Sequence, residues 1–253
     1  MIDLERRGGV AIVTLAHGKA SAFDVELCDA LIARFTECED DWCKAVVVIG
    51  RGGIFSAGVD LVRVVNEGAP YLLRFLPKLS DALEKVFSFT KPVVAAVNGH
   101  AIAGGCILAC AADRRLMARG SGRIGIPELL VGVAFPPVPL EIVRFSVNPA
   151  SAGDLIFNGA TLGADAAVRA GLVDVAVDGD ALPAEAIAVA EALASRPVEA
   201  FAITKQQFRA PALQRMREGR RHLDGRVEEI WCSASTLDRI RQHIERTFKK
   251  PDR

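Results

Sequence analysis

The chain has 253 residues, and its 31 Lys and Arg residues are balanced by 31 Asp and Glu, so the formal net charge is zero. This balance argues against a nucleic-acid partner and against binding to an anionic membrane surface, since both usually require an excess of basic residues. Hydrophobic residues make up 51% of the chain and charged residues 25%, which excludes intrinsic disorder and is typical of a folded protein with a large core.

The first half of the chain alternates between β-rich and helical patterns. Residues 10–15, 45–49 and 93–97 are short β-rich runs, and the last two are continuously apolar, as strands buried on both faces are. Residues 25–35 and 72–86 carry apolar side chains at helical spacing. The alternation predicts an α/β fold with parallel strands.

From about residue 183 onward only helical patterns occur. Residues 184–194 are rich in Ala, and residues 219–250 place apolar side chains at helical spacing. Because no Ser/Gly linker separates this part, we expect a core over 1–182 extended by a helical C-terminal region over 183–253. The basic stretch 205–226 predicts a solvated helix face; a contact for a phosphate-bearing ligand or a subunit interface are the alternatives.

The sequence predicts a soluble, cytoplasmic protein. The run 92–112 lacks formal charge and is long enough to span a bilayer, but Asn98, Gly99 and the pair Gly104-Gly105 divide it into a strand, a turn and a short helix. The six cysteines are irregularly spaced, which favours reduced thiols over a disulfide framework, and the N-terminus has no secretory pattern. Cys106 and Cys110 lack further ligands at zinc spacing, so we expect no metal.

One candidate site is the turn at 54–61, which follows the buried run 45–49 and precedes a helical pattern. A strand that leads through small residues into a helix exposes backbone N–H groups, which suit an oxyanion or a phosphate. Asp60 is placed to cap that helix. Taken alone, this segment is better explained as an ordinary strand-to-helix turn.

A second turn repeats this arrangement at 98–106. Gly104 and Gly105 lack a Cβ atom, so a ligand can approach their N–H groups closely, and a helix that begins here adds its positive end. The two turns together could supply two donors to one oxygen, which is the minimum for an oxyanion hole.

The sequences FSAGVDL at 55–61 and AVNGHAIAGGC at 96–106 resemble the crotonase (enoyl-CoA hydratase/isomerase) superfamily. IPELLVGV at 126–133, residues 159–173 and the pair Thr204-Lys205 extend the resemblance over nearly the whole chain. It implies a spiral core of ββα units with a helical trimerisation region, a homotrimer or dimer of trimers, and acyl-CoA thioesters as substrates. Coenzyme A is then part of the substrate, and no other cofactor is expected.

The resemblance also implies roles for individual residues. The oxyanion donors would be the backbone N–H groups of Val59 and Gly104, and Glu128 would be the catalytic carboxylate. The residues expected to contact the substrate or coenzyme A are Ala57, Asp60, Leu61, His100, Gly105 and Phe135.

One departure from the family pattern bears on the reaction. Hydratases of the family have a second glutamate directly after Gly-Gly-Cys, where this chain has Ile107. A single carboxylate can still move a proton from C2 to C4 of a 3-enoyl thioester, so the sequence favours isomerisation of 3-enoyl-CoA to 2-enoyl-CoA. Hydration, thioester hydrolysis, decarboxylation and a non-catalytic acyl-CoA-binding role are the alternatives. The segment 135–139, Phe-Pro-Pro-Val-Pro, predicts a stiff, apolar pocket.

Overall fold

The computed structural model describes residues 1–248, whose strands pair into two sheets. In chain order the strands are β1 (Ile2–Arg7), β2 (Val10–Leu15), β3 (Ala45–Gly50), β4 (Ile54–Ser56), β5 (Val93–Val97), β6 (His100–Ile102), β7 (Arg114–Ala118), β8 (Ile124–Gly125), β9 (Thr161–Leu162) and β10 (Val175–Val177). The larger sheet has the order β1-β2-β3-β5-β7-β10 and the smaller one β4-β6-β8-β9.

The helices follow the predicted alternation. They are α1 (Val25–Glu37), α2 (Leu61–Ser88), α3 (Gly104–Ala111), α4 (Glu128–Val131), α5 (Pro137–Ser146), α6 (Pro149–Ile156), α7 (Ala164–Ala170), α8 (Leu182–Ala194), α9 (Val198–Cys232) and α10 (Ala234–Phe248). Helix α2 is kinked at Gly68, where φ is 63°. The run 92–112 forms β5, β6 and α3, and no helix within residues 1–248 is both long and apolar enough to cross a bilayer.

Most strand pairs are parallel, which confirms the predicted α/β class. The exceptions are β1 with β2 and β8 with β9, which are antiparallel. Only Gly8 and Gly9 separate β1 from β2, and such a short connection can join strands only as a hairpin. The sequence pattern did not indicate this first strand.

The core is built from consecutive ββα units: β3-β4-α2, β5-β6-α3 and β7-β8-α4. In each unit the first strand joins the larger sheet and the second joins the smaller one, so that β4, β6 and β8 become parallel neighbours. This arrangement confirms the expected spiral of ββα units. It also brings the turns that follow β4 and β6 side by side.

Both faces of the larger sheet are buried. Along β5, Val93, Ala95 and Val97 belong to the main core, whereas Val94 and Ala96 face a second apolar cluster. That second cluster is completed by Leu182, Ala186, Ile187 and Ala190 of α8. Helix α8 therefore covers the outer face of the sheet, and the boundary placed at residue 183 remains a prediction.

The C-terminal pattern at 219–250 belongs to two helices, because the chain is extended at Ser233 between α9 and α10. The Ser233 hydroxyl accepts a hydrogen bond from the Thr236 amide at 3.2 Å and so caps the start of α10. Lys249 and Lys250 lie outside the described residues.

We expected residues 205–226 to form a solvated basic helix face, and this expectation is wrong for the first part of the stretch. Lys205 and Arg209 are buried, and their side chains donate to the two carboxylate oxygens of Asp113 at 2.6 and 2.8 Å. Arg209 also donates to carbonyl oxygens of Phe87, Ala111 and Ala112. Burial lowers the pKa of Lys205 to about 8, while Asp113 acts in the opposite direction. This cluster anchors α9 to the end of α3.

Replacing Asp113 by Asn should destabilise the fold strongly, because it leaves two buried cations without their counter-charge. Breaking a buried ion pair typically costs about 3–5 kcal/mol. The control is Asp165→Asn, which removes the exposed pair with Arg119 and should cost less than about 1 kcal/mol. Urea denaturation of both variants measures the difference, and equal losses would contradict a structural role for the buried cluster.

Candidate active site

The turns after β4 and β6 are in direct contact at Gly58. A Cβ atom at this position would lie 2.6 Å from the Ile102 carbonyl oxygen, 2.8 Å from the Ala103 Cβ atom and 3.4 Å from the Gly104 amide nitrogen. Gly58 also has a φ of 86°, which other residues rarely adopt. Only glycine therefore allows the two turns to approach this closely.

The amides of Val59 and Gly104 lie on the two sides of this contact, and both residues line the same cavity. Within residues 1–248, neither amide donates a hydrogen bond to a protein acceptor. Gly104 is the first residue of α3, so the positive end of that helix adds to its donor. Ala103 holds a φ of 51°, an unfavourable value for a residue with a side chain. The geometry suits the binding of one oxyanion by two amides.

Glu128 is the first residue of α4 and is only 8% exposed. Its Oε2 atom is buried and has no hydrogen-bond partner in the part of the chain that the structure describes. Burial raises the pKa of this carboxyl to about 8. A carboxyl with a pKa near neutrality can both accept and return a proton, as a general base and acid must.

A cavity of about 110 Å³ joins Glu128 to the two amides. The remaining side chains of the cavity wall are almost all apolar. One of them is Ile107 of α3, which occupies the position of the second glutamate expected in hydratases of the family. Among the described residues, Glu128 provides the only carboxyl in this wall. The cavity is lined by Ala57, Val59, Leu61, Leu79, Ile102, Ala103, Gly104, Ile107, Pro127, Glu128, Val131, Val133, Phe135, Pro136, Pro139, Trp231 and His243.

Three of the residues predicted to contact the ligand lie in the cavity wall, namely Ala57, Leu61 and Phe135. The other three, Asp60, Gly105 and His100, do not. Asp60 caps α2 by accepting a hydrogen bond from the Arg63 amide at 3.0 Å, as the sequence predicted. A Cβ atom on Gly105 would come within 2.5 Å of the Ser56 carbonyl oxygen, so this glycine is required for packing. His100 is half-buried in β6, and its contact with a ligand remains a prediction.

The C-terminal helices also contribute to the site. Trp231 of α9 lines the cavity and donates from its indole nitrogen to the Ala134 carbonyl oxygen at 2.8 Å. His243 of α10 lines it as well. Trp231 was recognisable only as a member of an apolar stripe, and His243 had no pattern that pointed to the site. Their placement depends on how α9 and α10 pack across the core.

A family model described as enoyl-CoA hydratase/isomerase matches residues 5–244. The chain belongs to the enoyl-CoA hydratase/isomerase family. The predicted resemblance is thereby confirmed, and the protein is a crotonase-type enzyme of acyl-CoA thioesters.

Relatives within this family have different names. A Thermus thermophilus protein named "Putative enoyl-CoA hydratase" is 36% identical over 212 residues, which is 81% of this chain and 82% of the relative. A carnitinyl-CoA dehydratase from Salmonella typhi is 32% identical over 226 residues, 88% of this chain and 85% of the relative. The human mitochondrial delta3-delta2-enoyl-CoA isomerase has the same fold, with a TM-score of 0.93 over 99% of both chains at 21% identity.

The raised pKa of Glu128 predicts a pH-dependent stability. The folded protein keeps this proton up to about pH 8, whereas the usual pKa is 4.5, so ionisation destabilises the fold progressively between these values. Glu128→Gln removes that effect. Chemical denaturation measures the free energy of unfolding of the variant and of the wild type. The difference in favour of the variant should increase from pH 5 to pH 9. The same substitution at exposed Glu185 is the control, and a gain independent of pH would contradict the burial of an ionisable Glu128.

Proposed function

We propose that this enzyme isomerises 3-enoyl-CoA to 2-enoyl-CoA with Glu128 as its single proton-transferring group. The observation that carries the proposal is the pairing of one buried carboxyl with two free amides in a cavity whose other side chains are almost all apolar. The presence of Ile107, which cannot transfer a proton, supports isomerisation over a reaction that needs two carboxylates.

The proposed reaction has two proton transfers. The ionised Glu128 takes a proton from C2, the electron pair moves onto the thioester oxygen, and the amides of Val59 and Gly104 stabilise the resulting dienolate. The protonated Glu128 then delivers the proton to C4, while the double bond forms between C2 and C3. Since the proton is returned, the reaction consumes no water and needs no cofactor beyond the coenzyme A of its substrate.

Hydration of a 2-enoyl-CoA is the second candidate, because the names of the two curated relatives refer to hydratase or dehydratase activity. Addition of water to a conjugated thioester benefits from two carboxylates that hold and activate one water molecule. Loss of one positioned acid or base typically costs about 10²- to 10⁴-fold in rate. The chemistry of the cavity wall thus favours the isomerase over the hydratase.

We further propose that the protein assembles as a homotrimer or a dimer of trimers through its C-terminal helices. Val198, Ile203 and Phe208 of α9 are exposed apolar side chains, which supports an interface on this helix. A cytoplasmic location is also proposed, and the six free cysteines are compatible with a reducing compartment.

The first test is the Glu128→Gln variant with a 3-enoyl-CoA, followed through the absorbance of the conjugated thioester product. The wild type should increase this absorbance, and the variant should be slower by about 10²- to 10⁴-fold, because it lacks the group that transfers the proton. Affinity for a saturated acyl-CoA should be kept, and Glu185→Gln should resemble the wild type. Full activity of the variant would contradict the assignment of Glu128.

A second variant tests the meaning of Ile107. Ile107→Glu introduces a second carboxyl into the cavity wall and should raise the rate of 2-enoyl-CoA hydration by up to about 10²-fold. Ile107→Gln is the matched control, since the Gln side chain has nearly the same size and shape as Glu but cannot act as a base. If the folded Glu variant hydrates no faster than the Gln variant, the missing carboxylate does not limit hydration.

A further inference from the structure

Besides Glu128, one titratable side chain lies in the wall of the acyl-CoA cavity within the described residues, and this is His243 of α10. The surrounding wall is apolar, with Leu79 from α2, Trp231 from α9 and Phe135 among its members. His243 is half-buried, and a polar group in such a wall bonds to the protein, to water or to a ligand that fills the cavity.

His243 does not use its ring within the protein. Neither ring nitrogen has a hydrogen-bond partner in residues 1–248, and the Thr247 hydroxyl binds only the backbone carbonyl of His243. Burial, and secondarily the positive charge of Arg246, lowers the pKa of the ring, which keeps it neutral at physiological pH. A neutral imidazole offers one N–H donor and one acceptor.

His243 is also separate from the proton-transferring group. The buried Oε2 atom of Glu128 has no hydrogen-bond partner among the described residues, so the ring is not a relay to that atom. The two side chains come from different helices, α4 and α10, and Arg239 of α10 packs against Gly132 at the end of α4. Both side chains line the same cavity, so an acyl group whose reacting carbons lie at Glu128 can also contact His243.

We infer that His243 selects acyl groups that carry a hydrogen-bonding oxygen, such as an oxo group, beyond the reacting carbons C2 to C4. This inference rests on the proposed acyl-CoA site and adds a substrate class to it. An oxygen that enters an apolar cavity loses its hydrogen bonds to water, which costs free energy unless a partner replaces them. The imidazole N–H supplies that partner, whereas a purely aliphatic acyl chain would leave the ring unsatisfied.

Binding of unreactive saturated thioesters tests this inference without any turnover. We would measure the dissociation constants of 5-oxohexanoyl-CoA and hexanoyl-CoA, and of 7-oxooctanoyl-CoA and octanoyl-CoA, by calorimetry. In at least one pair the wild type should bind the oxo form as tightly as its parent or more tightly. His243→Phe should shift that ratio against the oxo form by about 2- to 10-fold, the usual effect of one hydrogen bond.

Two further variants separate selection from a structural effect. His243→Gln keeps a donor and an acceptor and should retain most of the preference, whereas His222→Phe places the same aromatic ring at an exposed position of α9 and should leave it unchanged. A ratio that is equal in the wild type and His243→Phe would overturn the inference. So would a wild type that binds both oxo forms several-fold more weakly than their parents, a result that does not depend on how the variants fold. If no thioester binds at all, the proposed acyl-CoA function fails and this inference fails with it.

Discussion

The close approach of two backbone turns at Gly58 is the constraint on which the site depends. Parallel pairing of β4 with β6 places the turns side by side, and the absence of a Cβ atom at Gly58 lets them touch. This contact brings the amides of Val59 and Gly104 to the wall of one cavity, where both are backbone donors without a protein acceptor among the described residues. Backbone donors held in this way need no reorganisation when charge develops on a thioester oxygen.

The same cavity contains a carboxyl whose ionised form is disfavoured by burial. Glu128 is buried with an unsatisfied oxygen, which disfavours its ionised form and raises its pKa. The rest of the fold has to hold this arrangement in place. The buried cluster of Asp113, Lys205 and Arg209 fixes α9 against the core, and α9 and α10 then carry Trp231 and His243 over the cavity. Residues distant from Glu128 in the chain therefore position two members of the cavity wall.

Much of this could be predicted from the sequence. The continuously apolar runs that became β3 and β5 and the small-residue turns that follow β4 and β6 are local patterns, and they predicted the α/β class. The spiral of ββα units and Glu128 as a candidate came from the resemblance to the crotonase superfamily. The limits of that approach are equally physical. Burial of Lys205 and Arg209 depends on the distant Asp113, and the position of His243 depends on the packing of α10 against α4. Neither the burial of these two cations nor the position of His243 produces a periodic pattern in the sequence.

Proton transfer in this cavity depends on Glu128 being a buried carboxyl whose pKa lies near neutrality. This pKa can be measured directly by difference infrared spectroscopy of the wild type and Glu128→Gln, because the protonated carboxyl has its own carbonyl band. Because burial raises the pKa of Glu128, this band should disappear with a midpoint near pH 8. A midpoint near the ordinary value of 4.5 would contradict it, since Glu128 would then be solvated and the cavity would not favour proton return to the substrate.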